Sequence, residues 1–114
     1  MKVHLFVANN DPLTDELRDL IDAALAEAGV ADPQVDVTTV LSADEAKELR
    51  CLGSPTIRVE GLDIEYGERE PPETTVGERF YSTPEGWTRT PTKGMIVFAI
   101  NEAKARLAGG TSRG

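Results

Sequence analysis

Only one cysteine, Cys51, occurs in the 114 residues, and a single thiol cannot alternate between a dithiol and an internal disulfide. The same scarcity excludes a disulfide framework and a cysteine-rich zinc site. The one histidine, His4, lies far from Cys51 in the chain, so these residues supply no metal centre, and no pattern calls for a cofactor. Cations are few as well, with 12 Lys and Arg against 20 Asp and Glu and a net charge of -8. Phosphate backbones are bound by clustered Lys and Arg, so nucleic acid is not the expected partner. The acids are spread along the chain, the usual pattern of a solubilising surface. Long hydrophobic runs are missing too, and none approaches the roughly 20 residues that cross a bilayer. Met1 to Ala8 is too short for a signal peptide and is followed by an acidic helix, so no membrane contact and a cytoplasmic location are expected.

The chain has room for one domain, expected over residues 1–108, with a flexible tail at 109–114 that has nothing to pack. Val3, Leu5 and Val7 interleave with Lys2, His4 and Phe6, which predicts a strand covered on both faces. Asp11-Pro12 reads as a helix start, with Asp11 as N-cap and Pro12 in the first turn. Leu13, Leu17, Leu20, Ile21, Ala24, Leu25 and Ala28 continue at helical spacing until Gly29. Gln34 to Leu41 is rich in Val and Thr and predicts a second strand. Ser42 and Glu45 form a capping box for a short helix that Gly53 is expected to end. Thr56 to Val59 and Leu62 to Glu65 alternate around Glu60-Gly61, a hairpin pattern. A last helix is expected from Thr90-Pro91, with Met95, Ile96, Ala99, Ile100, Ala103 and Leu107 on one face. The order βαβαββα predicts an α/β fold, a four-stranded mixed sheet with helices on both faces.

The segment Leu52-Gly53-Ser54-Pro55-Thr56-Ile57-Arg58-Val59 resembles the thioredoxin superfamily, in which a cis-proline opens the third core strand and faces the start of the first helix. More narrowly, it is similar to a group of small bacterial thioredoxin-like proteins with a distant link in name to organomercurial lyase. The resemblance runs from Val3 to about Leu107. Members of that group carry Cys-Pro-x-Cys at the first helix, where this chain has Asp11-Pro12-Leu13-Thr14. A Cys-Arg-x-Tyr run after the hairpin is matched here by Glu78-Arg79-Phe80-Tyr81. The resemblance therefore implies the fold and a cis-Pro55, while the replaced cysteines remove the redox activity.

An aspartate at a helix start is favoured by the same field that favours a thiolate, but it exchanges no disulfides. Capping alone accounts for Asp11. The sharper reading makes Asn9, Asn10, Asp11 and Thr14 a polar pocket beside Pro55. Proteins of the superfamily pair a peptide with the backbone before the cis-proline, a form of strand addition that needs no thiol. Cys51 fits a buried packing role; if exposed, Arg50 beside it would favour a reactive thiol. The stretch from Tyr66 to Thr90 holds four of the six aromatic residues. Phe80 and Tyr81 are expected to pin it to the core, and Trp87 to be partly exposed. These residues predict a redox-inactive domain that binds a peptide, protein partner or small ligand beside Pro55. Asn10, Asp11, Thr14, Ser54, Pro55 and Trp87 would form the contact surface. The alternatives are an enzyme or glutathione-type binder using Cys51 as a single thiol, and a structural homodimer that buries the aromatic loop.

Overall fold

A computed structural model describes residues 1–113 of the chain, with side chains as far as 108. The elements run β1 (Lys2–Ala8), α1 (Thr14–Glu27), β2 (Gln34–Val40), α2 (Ala43–Leu49), β3 (Leu52–Ser54), β4 (Thr56–Val59), β5 (Leu62–Asp63), β6 (Thr75–Glu78), β7 (Tyr81–Thr83), β8 (Gly86–Thr88) and α3 (Lys93–Arg113). The flexible tail expected at 109–114 lies outside the residues whose side chains are described.

The fold is α/β, with four strands in one mixed sheet of order β2-β1-β4-β5. β1 is parallel to β2, from Lys2 opposite Gln34 to Ala8 opposite Val40. It is antiparallel to β4, with Val3 opposite Val59 and Phe6 opposite Thr56. Side chains alternate along a strand, so β1 serves two cores at once. Val3, Leu5 and Val7 join Ile57 and Val59 beneath Leu17, Ile21, Ala24 and Leu25 of α1 and Ile96, Ile100 and Ala103 of α3. Phe6 points to the other face, where it meets Val40, Ala46 of α2 and Cys51. Helices therefore cover both faces of the sheet.

Several element ends differ from the sequence expectation, each for a visible reason. α1 begins at Thr14, because Asp11 closes a tight turn in which its backbone oxygen accepts from Thr14 N at 3.2 Å. α2 starts with Ser42 Oγ accepting from Glu45 N at 3.1 Å, but Glu45 answers to Leu41 N at 3.3 Å. It ends at Arg50, which takes the left-handed conformation at φ 56°, three residues before Gly53. β5 stops at Asp63, since that carboxylate accepts from the amides of Glu65 and Tyr66 and bends the chain into a turn. α3 begins at Lys93 rather than at Thr90-Pro91, with Thr92 Oγ1 accepting from Met95 N at 3.2 Å.

The connection from Tyr66 to Thr90 holds three strands where the sequence predicts a loop. β6 lies parallel to β3 with an irregularity in register, and β7 and β8 form a hairpin. All four residues of β4 are buried, although Thr56 and Arg58 are polar. Arg58 is accommodated by Glu70, which accepts from it at 2.7 Å, and by the carbonyls of Arg50 and Gly61.

Candidate functional site

The corner between β1, the start of α1 and the β3–β4 junction is a closed hydrogen-bond network. Ala8 N, at the end of β1, donates to Ser54 Oγ at 2.8 Å, and that hydroxyl donates to Asp11 Oδ2 at 2.5 Å. The other carboxylate oxygen of Asp11 accepts from Leu13 N at 3.0 Å. Arg89, which follows β8, donates to Asp11 Oδ2 at 2.6 Å. The Asp11 side chain is left only 3% exposed. Burial pushes its carboxyl upward, but the Ser54 hydroxyl, the Leu13 amide and the Arg89 guanidinium together hold it below the usual carboxylate range. Thr14 Oγ1 donates back to the Asp11 carbonyl at 2.8 Å and so belongs to the same turn.

The corner thus unites three of the residues expected to share a site, Asp11, Thr14 and Ser54. The Ser54-Pro55 peptide bond is cis. Asn10 adjoins them on the exposed turn, with φ 61°. Trp87 is 72% exposed on β8, two residues before Arg89.

The groove expected beside Pro55 is filled by the chain itself. Ser54 and Pro55 are both buried. The Ser54 carbonyl accepts from Arg79 N and from the Arg89 guanidinium, each at 2.9 Å. Tyr81 Oη donates to the Pro55 carbonyl at 2.8 Å. A visiting peptide would need those same backbone groups, and in this conformation they are already engaged within the chain.

Of the residues that close the corner, Tyr81 was expected to pin the segment, but no role was assigned to Arg79 or Arg89 from the sequence. Arg79 grips Asp63 with both guanidinium ends, at 2.6 and 2.7 Å, and both side chains are buried. Its guanidinium lies 4.3 Å from the centre of the Tyr81 ring and 5.1 Å from that of Tyr66. Burial works against the cation, but Asp63 outweighs it and Arg79 stays charged. Burial raises the Tyr81 phenol and keeps it neutral, as a donor. Tyr81 therefore pins the segment as expected, whereas Phe80 faces outward at 46% exposure. One signal for these roles was available in the sequence: arginines placed among aromatic residues in a segment too long for a plain connection.

Cys51 is 1% exposed, with its thiol directed at the Gly53 carbonyl at 3.4 Å and Thr56 Oγ1 at 3.9 Å. Arg50 pairs with Glu70 instead of approaching the sulfur. His4 stacks on Phe6, its Nε2 is 2.7 Å from Thr38 Oγ1, and burial lowers its pKa. No group of three or more His, Cys, Asp or Glu side chains among the described residues is placed to hold a metal ion. Among the described residues no helix is long and apolar enough to cross a membrane.

A concavity of about 870 Å³ opens at the β5 edge of the sheet, between β5, the turn that follows it and α3. Tyr66 and Phe98 line it, and neither was expected at a site.

The chain matches no family model, no curated protein and no solved structure.

Proposed function

We propose that this chain is a redox-inactive thioredoxin-like domain that binds a protein partner through the surface of its β7–β8 hairpin. The strand order β2-β1-β4-β5, with the cis Ser54-Pro55 bond at the entry to β4, supports the thioredoxin-like reading. One observation carries the loss of redox chemistry. At the place where the resemblance puts a cysteine, the Asp11 carboxylate is engaged by Ser54, Leu13 and Arg89. A carboxylate held in this way is neither a nucleophile toward sulfur nor free to receive a ligand.

With the backbone beside Pro55 already paired, contact falls to what the covering segment presents outward. Trp87 and Phe80 are large, apolar and exposed there. Tryptophan is the residue most favoured as an interface anchor, because it buries much area at small entropic cost. The closed corner beneath would act as a rigid mount for the hairpin. Cys51 offers no comparable basis for a thiol enzyme, since its sulfur is enclosed.

The test is a nuclear magnetic resonance titration of the labelled full chain with sets of extended peptides. Binding is expected to move the Trp87 indole and the β7–β8 amides and to vanish in Trp87→Ala. Shifts confined to the face opposite the hairpin would end the reading. Catalysed reduction of insulin by a tag-free sample would end the claim that the domain is redox-inactive.

A further inference from the structure

The 870 Å³ cleft at the β5 edge is lined by unpaired charges of both signs. Among the described residues, the side chains of Lys2, Arg18, Arg50, Arg58, Arg79, Arg89 and Lys93 each meet a carboxylate. Lys104 meets the Ala28 carbonyl. Lys47 on α2, Arg69 and Arg106 have no such partner, and the two arginines both line this cleft. Glu68 and Glu102 line it too, likewise unpaired. Two free cations and two free anions cancel, and Arg79 offsets one of the two acids Asp63 and Glu65, which leaves a single net negative charge here. On a chain of net charge -8 this face is close to neutral.

Its middle is apolar. Leu62, Ile64 and Tyr66 form one wall, and Phe98 stands on α3 at the other with 65% of its surface exposed. An anionic ligand entering here would meet two glutamates, and a cationic one two arginines. The occupant that satisfies both signs must carry both, around an apolar centre. A twofold interface places one patch against itself, so it demands a surface complementary to its own copy. Self-repulsion between acidic chains is screened beyond about 8 Å at physiological ionic strength, which leaves local charges to decide whether two faces meet.

We propose that this cleft is a twofold self-association surface. Phe98 of each copy enters the cleft of the other, and Arg69 and Arg106 face Glu68 and Glu102 across the axis. The surface is separate from the β7–β8 hairpin, so partner binding and self-association are independent properties.

Sedimentation equilibrium of the full chain, from micromolar to near-millimolar concentration, tests this. The wild-type mass is expected to rise toward twice the 12.3 kDa of one chain. Phe98→Asp is expected to weaken association by more than about tenfold, the scale of an interface anchor. Ala105→Glu, at another exposed lining position, should act in the same direction if Phe98→Asp fails to fold by circular dichroism. Two further variants separate the charges, Arg69→Glu with Arg106→Glu in one and Glu68→Arg with Glu102→Arg in the other. Each is expected to stay monomeric alone, and an equimolar mixture to dimerise. Trp87→Ala should associate as the wild type does. A wild-type chain that keeps the single-chain mass at the highest concentration overturns the proposal. So does a folded Phe98→Asp variant that associates as strongly as the wild type, or a mixture no more dimeric than its components.

Discussion

Replacing Arg89 by methionine tests whether the corner is held by charge. The substitution keeps an unbranched apolar stem but removes the cation. Asp11 Oδ2 loses its 2.6 Å donor, and the Ser54 carbonyl loses one of its two. The Ser54 hydroxyl and the Leu13 amide remain, so the carboxylate is weakened but not orphaned. Hydrogen bonds to charged groups contribute about 1.5–3 kcal/mol. Arg89 keeps a 20% exposed side chain, and solvent screening brings the expected cost to about 1–2 kcal/mol. The pH dependence distinguishes this from lost packing. In the folded wild type the Asp11 carboxyl lies below its ordinary value of 3.8. Its stabilisation is therefore fully present above that value and is lost as pH falls through the lower folded-state pKa. Without Arg89, burial is less opposed and the folded-state pKa rises. Carbon-detected titration of the Asp11 carboxyl should then give a higher midpoint in Arg89→Met than in the wild type. Urea unfolding should give a gap between the two proteins at about pH 7 that narrows in acid. Far-UV circular dichroism is the suitable probe, because Trp87 is already exposed in the folded state and reports little on unfolding. An Asp11 midpoint equal in the two proteins would refute the reasoning.

Three further outcomes are expected. Cys51 should resist a thiol reagent in the native state and react fully in denaturant; fast native labelling would contradict its enclosure. Gly53→Ala should cost about 1–3 kcal/mol in urea unfolding, because Gly53 has φ +125° and an added Cβ would lie 2.7 Å from Arg79 Cβ. A wild-type midpoint in that variant would show that β3 and Arg79 do not pack so closely. Asp63→Leu should cost about 3–5 kcal/mol, because it leaves the buried Arg79 cation with only the longer contact to Glu65 at 3.5 Å. Removing both with Arg79→Leu should cost less than the two single losses added, and strict additivity in that double-mutant cycle would deny the pair its coupling.

The parts of this fold that are legible in sequence are those whose apolar residues repeat locally. β1, α1 and α3 have spacings that assign each side chain to a face, and the core follows them. What local reading misses is any contact made between distant residues. Asp11 resembles a helix N-cap because Asp-Pro usually is one. Its carboxylate is drawn instead to Ser54 and Arg89, 43 and 78 positions away, and the helix starts later. Arg58 alternates with Thr56 to Val59 as a solvent-facing residue would, yet Glu70 lets it be buried. Phe80 and Tyr81 are neighbours of like composition, but adjacent residues of an extended chain point to opposite sides, and only one could pin the segment. The groove expected beside Pro55 rests on the resemblance and on neighbouring residues, whereas the group that fills it, Arg79 N, lies 25 residues beyond Ser54.

Arginine placement explains why that groove is closed. The chain is poor in cations, yet four of its arginines from outside the segment Asp63 to Glu78 bind acids within it. Arg50 and Arg58 converge on Glu70, Arg79 reaches back to Asp63 and Glu65, and Arg89 ties Glu78 to Asp11 and the Ser54 carbonyl. Arg58 and Arg50 on one carboxylate hold Glu70 below the usual carboxylate range, so this fastening persists further into acid than an ordinary glutamate pair would. A merely solubilising segment would carry its acids outward and leave them unpaired. Here buried and half-buried carboxylates are matched with cations that the acidic surface could otherwise have used. The segment is thus built to stay in place, occupying backbone groups that an unpaired β3 edge would offer to a peptide. The proposed partner contact therefore falls to the outward side of the covering chain, where Trp87 and Phe80 are exposed.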